Sequence, residues 1–387
     1  MKKKIAILGS TGSIGKTLID ILKKNKKNFE IVLLTVNKNI QELEKQVDLF
    51  NVKNLIVIDK KNYLKLKSKK KFKEKNIFNN FLSIDKIFKN KVDYVMCSIS
   101  GIEGLSPTIK IIKHTKKIAI ANKEAIICGW NIIKSEIDKN KTEFIPIDSE
   151  HFSINYALKK TNKKNIESVY LTASGGPLKD LPLSEFKNVE IKDALKHPNW
   201  NMGKKISIDS ATMMNKVFEV IEAHNIFGIS YKKLKILIHP KSYVHAIIKF
   251  RDGMIKIIAH DTNMTIPIHN SIYCDNDNFL ITESLNIKKL NNLNLSKVDY
   301  KKFPIVKILL KQNNNNSLFD TIIVAANDEL VKNFLNKKIK FTDISKKLIN
   351  FLNLKEFNKY KIIKPKNIES IEKLNRYVRI KINKLSI

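Results

Sequence analysis

Cysteine, glycine, proline and tryptophan are all scarce in this 387-residue sequence, and long apolar runs are missing. The three cysteines, Cys97, Cys128 and Cys274, form no Cys-x-x-Cys pair, which argues against a disulfide framework and a cysteine-based zinc site. No stretch of about 18 apolar residues occurs, so we expect no membrane span. The N-terminus lacks an apolar run followed by a cleavage site, so we expect no signal peptide and a cytoplasmic location.

Acidic residues are also scarce, with 37 against 72 basic residues and a net charge of +35. Such a charge is typical of nucleic-acid-binding proteins, but here the excess is mostly lysine and is spread along the whole chain. Lysine, asparagine and isoleucine all have A/T-rich codons, so a biased genome explains the composition. We find no zinc finger and no RNP-like strand, and we expect no specific nucleic-acid binding. Attraction of anionic substrates is the expected consequence.

The first 147 residues alternate short apolar runs with amphipathic segments. The runs predicted as buried strands are Ile5–Leu8, Ile31–Thr35, Leu55–Ile58, Tyr94–Cys97, Ile118–Ile120 and Phe144–Ile147. Helical patterns lie between several of them, as at Ile14–Lys24 and Ile40–Leu49. Strands that alternate with helices predict a parallel, doubly wound α/β sheet of the Rossmann-like kind.

The pattern changes near Asp148. Further strands are predicted at Val169–Thr172, Lys235–His239, Ala246–Phe250 and Met254–Ala259, which indicates a mixed α+β unit. From about Lys301 the chain is predicted to be helical, apart from a loop at Asn313–Asn316. We therefore expect a nucleotide-binding domain at 1–147, a catalytic domain at 148–274, a linker at 275–300 and a helical domain at 301–387.

A glycine-rich turn follows the first predicted strand and opens the first predicted helix. In Gly9-Ser-Thr-Gly12-Ser-Ile-Gly15, the first glycine permits a tight turn, the second lets a pyrophosphate approach the backbone, and the third allows close packing of helix and strand. The helix N-terminus offers N–H groups and a positive dipole to the phosphates. This context predicts a dinucleotide site.

The end of the second strand discriminates between the two nicotinamide cofactors. NAD enzymes commonly place a carboxylate there to bind the ribose hydroxyls. Here the strand ends Thr35-Val-Asn-Lys38-Asn39, which contains no acid but a lysine and amides. The pattern favours the 2′-phosphate of NADP, although Lys38 is also one of many surface lysines.

Two carboxylates follow the last strand of the nucleotide unit. In an extended segment, Asp148 and Glu150 point to the same side, where they can bind Mg²⁺ or Mn²⁺. A pair of this kind is also common in a capped turn.

The stretch from His197 to Glu219 is less ordinary. Asp209 or Ser210 is predicted to cap a helix on which Asn215 and Glu219 share one face, with Lys216 beside them. A serine, an amide, an ammonium and a carboxylate in this arrangement can hold a phosphate and a metal together. The turn at Ser174-Gly-Gly-Pro177 offers a further hydroxyl to the phosphate, although a surface loop before an amphipathic helix would look similar.

Asn122-Lys123-Glu124 follows another predicted strand, at the edge where doubly wound sheets bind ligands. Lys123 is placed to meet oxygens of the substrate or the nicotinamide end of the cofactor. Most such triplets only begin helices, so this motif supports a ligand site only in combination with the other motifs.

In this order and combination, these motifs resemble one family. With His239-Pro-Lys-Ser-Tyr-Val-His245 and Ala325-Ala-Asn-Asp-Glu-Leu330, they cover nearly the whole chain. The sequence is similar to the 1-deoxy-D-xylulose 5-phosphate reductoisomerases, and the stretch from His197 to Lys216 is its most specific part.

The resemblance implies a role for each matching position. It implies that the divalent cation, Mg²⁺ or Mn²⁺, is bound by Asp148, Glu150 and Glu219. The same three residues form the implied catalytic set together with Lys123 and His197. The implied substrate-binding positions are Ser149, Ser174, His197, Trp200, Ser210, Asn215 and Lys216. The implied NADPH-binding positions are Thr11, Gly12, Ser13, Ile14, Lys38, Asn39, Asn122, Glu124, Met202 and Gly203.

The family chemistry implied is the NADPH- and metal-dependent rearrangement and reduction of 1-deoxy-D-xylulose 5-phosphate to 2-C-methyl-D-erythritol 4-phosphate. This reaction belongs to the non-mevalonate route to isoprenoid precursors. Segment 175–205 resembles the family's mobile flap, with Trp200 closing over the substrate, and the family is usually a homodimer.

Two positions and one short segment depart from the family pattern. Val217 and Asn37 stand where the family commonly has glycine, and Ala259–Met264 differs from a Pro-Asp-Met-Arg-like segment. No implied metal or phosphate position is lost, so we expect an active enzyme.

Two alternative functions stay open at this stage. Another NADP-linked oxidoreductase, such as a semialdehyde or homoserine dehydrogenase, would share the nucleotide domain without requiring all three carboxylates. A nucleic-acid-binding protein that has kept an old fold would show salt-sensitive binding at physiological ionic strength.

Overall fold

The computed structural model describes residues 1–200, 202–273 and 278–385, which form two compact units. The first unit comprises the described residues of Met1–Ala125, Ile132–Asp148 and Asn263–Ile281, and the second those of Ile126–Asn131, Ser149–Thr262 and Thr282–Ile387. The domain boundaries expected after residues 147, 274 and 300 stay predictions. Cys274 and the start of the expected linker, at 275–277, lie outside the described residues.

The first unit is built on a seven-stranded parallel sheet. Its strands are β1 (Lys3–Leu8), β2 (Phe29–Val36), β3 (Asn54–Val57), β4 (Asn76–Phe78), β5 (Val92–Cys97), β6 (Thr115–Ile120) and β7 (Glu143–Pro146). They are ordered β4-β3-β2-β1-β5-β6-β7, and every adjacent pair is parallel. Successive strands are added toward one edge of the sheet from β1 to β4 and toward the other edge from β5 to β7. Doubly wound folds bind ligands at the point between β1 and β5 where this order reverses. The expected fold class is confirmed.

The second unit contains a mixed five-stranded sheet. Its strands are β8 (Ile166–Ala173), β9 (Leu234–Ile238), β10 (Val244–Phe250), β11 (Ile255–Ala259) and β12 (Ser296–Lys297). They are ordered β11-β10-β8-β9-β12. β8 and β9 are parallel and the other pairs are antiparallel. The predicted α+β character of this part of the chain is confirmed.

The described residues also form helices, some packed on the sheets and others on one another. They are α1 (Ser13–Lys24), α2 (Ile40–Phe50), α3 (Lys60–Lys67), α4 (Ile84–Ile87), α5 (Leu105–Ile112), α6 (Lys123–Asn140), α7 (Ser149–Leu158), α8 (Ile191–Ala194), α9 (Lys204–Ala211), α10 (Met214–Phe227), α11 (Thr265–Tyr273), α12 (Ile287–Asn291), α13 (Leu318–Leu335), α14 (Phe341–Leu352) and α15 (Ile368–Leu385). The helical character predicted after residue 301 and the loop at 313–316 are both confirmed. Within the described residues, no helix has the length and apolar content needed to cross a membrane.

The core of the first unit explains why its strands read as nearly unbroken apolar runs. One hydrophobic cluster contains Ile5, Ile7, Leu34 and Leu55, each of which is 0% exposed. Strands covered on both faces bury successive residues, so alternation with polar residues is lost. Tyr94 is equally buried, and its hydroxyl forms a hydrogen bond of 2.7 Å with Ser271 Oγ, which satisfies the polar atom.

The second unit places α10 against its sheet. Val220 and Ala223 of α10 pack in one buried cluster with Val169 and Leu171 of β8 and Ile248 of β10. This packing fixes the rotation of the helix, and therefore the direction in which its polar residues point.

Candidate active site

Two glycines of the turn between β1 and α1 are required by the backbone itself. Gly9 has φ +85°, and a Cβ there would lie 2.9 Å from the carbonyl oxygen of Ser98. A Cβ at Gly15 would lie 2.5 Å from the carbonyl oxygen of Gly9. Both distances are shorter than real Cβ contacts, so the tight turn and the close helix packing expected from the sequence are present.

Gly12 differs from its two neighbours. It is the N-cap of α1 with an extended backbone, and a Cβ there would contact only the Gly9 oxygen, at 3.5 Å. Packing within the protein therefore does not demand glycine at this position. Gly12 and Ser13 are exposed, and Thr11 and Ile14 are half-buried. The arrangement leaves the N–H groups of the first helical turn open to an anion.

The end of β2 lies beside this turn. Thr35 accepts a hydrogen bond from the Gly9 N–H at its Oγ1, at 2.9 Å, and from the Ser10 N–H at its carbonyl oxygen, at 3.0 Å. Lys38 and Asn39 follow and are exposed. Asn39 caps α2 by accepting a hydrogen bond from the Glu42 N–H at 3.2 Å. No carboxylate stands at the tip of the strand itself.

Asn122 is the N-cap of α6, and both polar atoms of its side chain form hydrogen bonds within the protein. Its Oδ1 accepts a hydrogen bond from the Ala125 N–H at 2.9 Å, and its Nδ2 donates to the carbonyl oxygens of Gly101, at 2.7 Å, and Ile99. Glu124, in the same turn, is buried. Asn122 thus holds the loop after β5 at the switch point of the sheet, a structural task that accounts for an amide there.

Lys123 forms an ion pair with Asp148 inside the first unit. The Nζ–Oδ2 distance is 3.1 Å, and the two side chains are 12% and 15% exposed. Asp148 ends the second segment of this unit, just after β7 at the carboxyl edge of the sheet, where the sequence predicted a ligand-binding carboxylate.

The expected geometry of the neighbouring carboxylate is wrong. Asp148 and Glu150 were expected to share one side of an extended segment, but β7 ends at Pro146 and α7 begins at Ser149. Glu150 therefore lies in the first turn of a helix, where its negative charge interacts favourably with the helix dipole.

The second unit holds a compact cluster of charges around Lys216. Its ammonium lies 2.7 Å from Glu150 Oε1 and also contacts Glu219 Oε2. Oxygens of the two carboxylates lie within 4.8 Å of each other. The side chains of Lys216 and Glu219 are 5% and 2% exposed. Burial opposes the charge on Lys216, but Glu150 and Glu219 outweigh it and raise the pKa of its ammonium.

Asn215 completes this cluster as the sequence predicted. Its Nδ2 donates a hydrogen bond to Glu219 Oε1, so the two residues do share one face of α10. Ser149 Oγ donates to Glu150 Oε2. Hard oxygen ligands, an amide and an ammonium therefore meet in one partly buried place, a donor set that suits Mg²⁺ or Mn²⁺ beside an anionic group.

The predicted capping role of Asp209 and Ser210 is wrong. Both residues lie in the last turn of α9, and α10 begins after a separate turn whose N-cap is Met213, with φ 67° and no capping side chain. Thr212 Oγ1 accepts a hydrogen bond from the Met214 N–H at 3.3 Å instead. Ser210 still stands directly before the helix that carries Lys216.

Ser174 and His197 form a hydrogen-bonded pair. His197 Nδ1 accepts hydrogen bonds from the backbone N–H groups of Asn199, at 3.2 Å, and Trp200, at 3.0 Å. Burial lowers the pKa of His197 to about 4, so the ring is neutral at pH 7 and its hydrogen is on Nε2. Nε2 then donates to Ser174 Oγ at 3.2 Å. Ser174 also accepts from the Gly176 N–H at 3.1 Å, which directs its own hydroxyl hydrogen outward.

Gly176 brings the Ser174 turn against α9. Its φ is +70°, and a Cβ there would lie 2.5 Å from the carbonyl oxygen of Ser210. Two serines that the sequence assigned to one phosphate site are therefore held near each other by a backbone contact that only glycine allows.

The remaining implied positions lie around α9. Trp200 is half-buried, and so is Met202; Gly203 is exposed and is the N-cap of α9. Segment 175–205 contains a short 3₁₀ helix, Leu183–Asn188, and α8. The contacts implied for Trp200, Met202 and Gly203 with substrate and cofactor stay predictions.

Sequence reasoning gave no role to a buried histidine beside the cluster. His151 follows Glu150, and its Nε2 donates a hydrogen bond to the carbonyl oxygen of Glu219 at 2.8 Å. Its Nδ1 lies 3.5 Å from Glu222 Oε2, and both side chains are at most 2% exposed. His151 thus joins α7 to α10 at the two carboxylates. The acidic residue one turn after Glu219 is the only hint of this pair in the sequence.

Comparison with known proteins decides the family. Three family models match in turn: 1-deoxy-D-xylulose 5-phosphate reductoisomerase at residues 5–129, its C-terminal domain at 144–227 and a DXP reductoisomerase C-terminal domain at 261–381. The 1-deoxy-D-xylulose 5-phosphate reductoisomerase of Pelagibacter ubique (strain HTCC1062) is 60% identical over all 387 residues and the whole of both chains. This chain belongs to the 1-deoxy-D-xylulose 5-phosphate reductoisomerase family.

Other reductoisomerases agree in sequence and structure. The protein of Clostridium tetani (strain Massachusetts / E88) is 36% identical and covers 98% of this chain and 100% of its own. The reductoisomerase of Zymomonas mobilis, solved in complex with NADPH, has a TM-score of 0.88 and 29% identity, with coverage of 100% and 99%. A reductoisomerase solved with NADPH, fosmidomycin and magnesium has a TM-score of 0.90 and 28% identity, with coverage of 99% and 98%.

Proposed function

We propose that the buried cluster of Glu150, Lys216 and Glu219 is where this chain performs its family's reaction. That reaction is the NADPH- and metal-dependent conversion of 1-deoxy-D-xylulose 5-phosphate into 2-C-methyl-D-erythritol 4-phosphate. The observation that carries the proposal is the position of one ammonium between the buried carboxylate of Glu219 on α10 and the half-buried carboxylate of Glu150 on α7. A purely structural core would gain more from apolar residues, since buried ion pairs seldom add net stability.

The metal would be held by Asp148, Glu150 and Glu219. Asp148 is two residues from Glu150 in the chain, at the carboxyl end of β7. A bound divalent cation supplies charge stabilisation for two neighbouring substrate oxygens. Lys123, paired with Asp148, places a second positive charge beside that carboxylate and is proposed to contact the same oxygens.

The substrate's phosphate would be held by neutral donors and one cation. Ser174 directs its hydroxyl hydrogen away from His197 and Gly176. Ser210, Asn215 and Lys216 stand on the two helices that follow. Because the acceptors on Ser174 are already used within the protein, its hydroxyl is preset as a donor, which lowers the entropy cost of binding an anion.

NADPH, which supplies the hydride, would bind along the turn after β1. The N–H groups of α1 suit its pyrophosphate, and the acid-free end of β2 suits its 2′-phosphate. Solved family members hold NADPH, in agreement with this assignment.

The Lys38→Asp variant tests the 2′-phosphate site. Its KM for NADPH is expected to rise about 100-fold, because a carboxylate replaces the ammonium beside a dianion, while its KM for NADH changes less than about threefold. Steady-state kinetics with both cofactors measure this. The matched control is Lys45→Asp, an exposed charge reversal on α2. Equal losses for NADPH and NADH would remove Lys38 from the site.

The chain is also proposed to act as a cytoplasmic homodimer that pairs along β11. This strand is the outer edge of its sheet, and Ile255 and Ile257 are 54% and 49% exposed. Lys256, between them, donates to the Ala157 carbonyl oxygen of α7 at 3.0 Å, so the two isoleucines point to the uncovered side. An apolar, unprotected edge strand favours pairing with a second copy.

Ile257→Lys is expected to convert the dimer into a monomer, because it places a charge on the proposed edge. Sedimentation velocity at several protein concentrations measures the change. Ile362→Lys serves as the control, since Ile362 is 80% exposed elsewhere on the same unit. A variant at 257 that keeps the parent mass would exclude this edge as the interface.

The overall proposal is tested by NADPH oxidation with purified protein, 1-deoxy-D-xylulose 5-phosphate and Mg²⁺ or Mn²⁺. Oxidation is expected only when substrate and metal are both present. Oxidation with a semialdehyde, without metal, would favour the rival dehydrogenases instead.

A further inference from the structure

A buried hydrogen bond joins the C-terminal helices to α9. Asn327 of α13 is 0% exposed, and its Nδ2 donates to Asp209 Oδ1 at 2.8 Å. Asp209 is 1% exposed. A hydrogen bond to a buried carboxylate is among the stronger polar contacts in proteins, because neither group can be satisfied by water instead.

Further charges strengthen the same connection. Lys205, one turn before Asp209 on α9, forms ion pairs of 3.0 Å with Asp209 and of 3.0 Å with Asp328 of α13. Asp328 in turn pairs with Arg379 of α15 at 2.9 Å. Helix α9 is therefore joined to α13, which is itself joined to α15, and neither of these two helices contributes a residue to the proposed active site.

Ser210 links the contact between α13 and α9 to the proposed phosphate site. Asp209 is its direct neighbour in the last turn of α9, and the Ser210 carbonyl oxygen lies against Gly176 on the other side. The backbone of Ser210 is thus held between the Ser174 turn and α13. The turn at Thr212 and Met213 then leads straight into α10 and Lys216.

We infer that Asn327 is a positioning residue for phosphate binding. By fixing Asp209 it sets the place of Ser210, and it acts on substrate affinity without contacting substrate, metal or NADPH. This role gives a function to the Ala325-Ala-Asn-Asp-Glu-Leu330 motif, and it rests on the proposed function of the site.

The Asn327→Ala variant is the test. Its KM for 1-deoxy-D-xylulose 5-phosphate is expected to rise about tenfold, while kcat at saturation and the KM for NADPH stay within about threefold. The reason is that binding of the phosphate is weakened equally in the ground state and the transition state. The conservative variant Asp209→Asn keeps an oxygen that accepts from Asn327 but loses the ion pair with Lys205, so its KM is expected to rise less than that of Asn327→Ala.

Asn333→Ala is the matched control. Asn333 is another buried amide of α13, and it donates to Asn383 at 3.2 Å without touching α9. It is expected to lower the melting temperature as Asn327→Ala does and to leave both KM values unchanged. Equal substrate KM values in the two alanine variants, or a parallel rise of both KM values in Asn327→Ala, would overturn the inference.

Isothermal titration of substrate binding, without turnover, provides a second measurement. The dissociation constant of the substrate is expected to rise only in Asn327→Ala. If the parent protein neither binds nor turns over the substrate, the proposed function fails. If the parent is active and Asn327→Ala binds equally well, only the positioning role fails.

Discussion

With Glu219 replaced by Gln, the protein is expected to lose about a thousandfold of its metal-dependent kcat/KM, roughly 4 kcal/mol of transition-state stabilisation. Glu219 is 2% exposed, and an oxygen of its carboxylate lies within 4.8 Å of an oxygen of Glu150. An amide of the same shape removes the anionic ligand while the packing of α10 is kept. NADPH binding, for which most of the proposed positions lie in the other unit, is expected to stay within about twofold of the parent value.

Mg²⁺ titrations of turnover and direct titration of NADPH separate these two effects. Glu167→Gln provides the control, because it makes the same change of charge at an exposed position that pairs with Lys249. Full activity in Glu219→Gln would remove this residue from the metal ligands. Loss of NADPH binding along with activity would instead indicate general disruption of the fold.

Replacing Lys216 by Met is expected to reduce kcat/KM on the order of 100-fold or more, mainly through a higher KM for the substrate. The ammonium is the cation proposed for the phosphate, and methionine fills a similar volume without charge. The same change leaves the buried Glu219 and the half-buried Glu150 without their shared partner, so the free energy of unfolding is expected to fall by about 3 kcal/mol.

The effect of Mg²⁺ on the melting temperature should distinguish the loss of a charge at the metal site from ordinary destabilisation. A divalent cation that binds the two carboxylates replaces the missing positive charge, so Mg²⁺ is expected to raise the melting temperature of Lys216→Met more than that of the parent. Lys249→Met is the control, since it breaks only an exposed ion pair of small energetic value. A melting temperature of Lys216→Met that ignores Mg²⁺ would contradict a metal site at these carboxylates.

Much of the fold followed from periodicity, and the missed elements have a common cause. β4 has three residues and β12 has two, and both stand at sheet edges. Strands this short have too few residues to show an apolar pattern, and they form because a neighbouring strand offers backbone partners. Longer strands such as β2 and β10 carry enough buried residues to be recognised.

The sequence predicted one contact of the candidate site correctly and the course of the chain before α10 wrongly. The spacing of Asn215 and Glu219 correctly placed them on one face of α10. The break after Ser210 was not predictable, because Met213 takes a left-handed backbone that methionine seldom adopts. Tertiary packing around the turn outweighs the local backbone preference of methionine. No capping residue in the sequence indicates that a helix begins after Met213.

Contacts distant in sequence were also beyond sequence reasoning. Asp209 and Asn327 are neighbours only because α9 packs on α13, and nothing in either local sequence indicates the other. Val217, which departs from the family pattern, is 0% exposed in α10. A buried valine in this helix is accommodated by packing, and it leaves Lys216 and Glu219 in place.

The central claim is that the carboxylates around Lys216 bind the catalytic metal. Anomalous diffraction from crystals grown with Mn²⁺ tests it most directly. The account predicts one strong peak at about 2.1 Å from carboxylate oxygens of Asp148, Glu150 and Glu219, the distance typical of small divalent cations. A peak bound by other residues, or none in crystals of protein that is active with Mn²⁺, would contradict it.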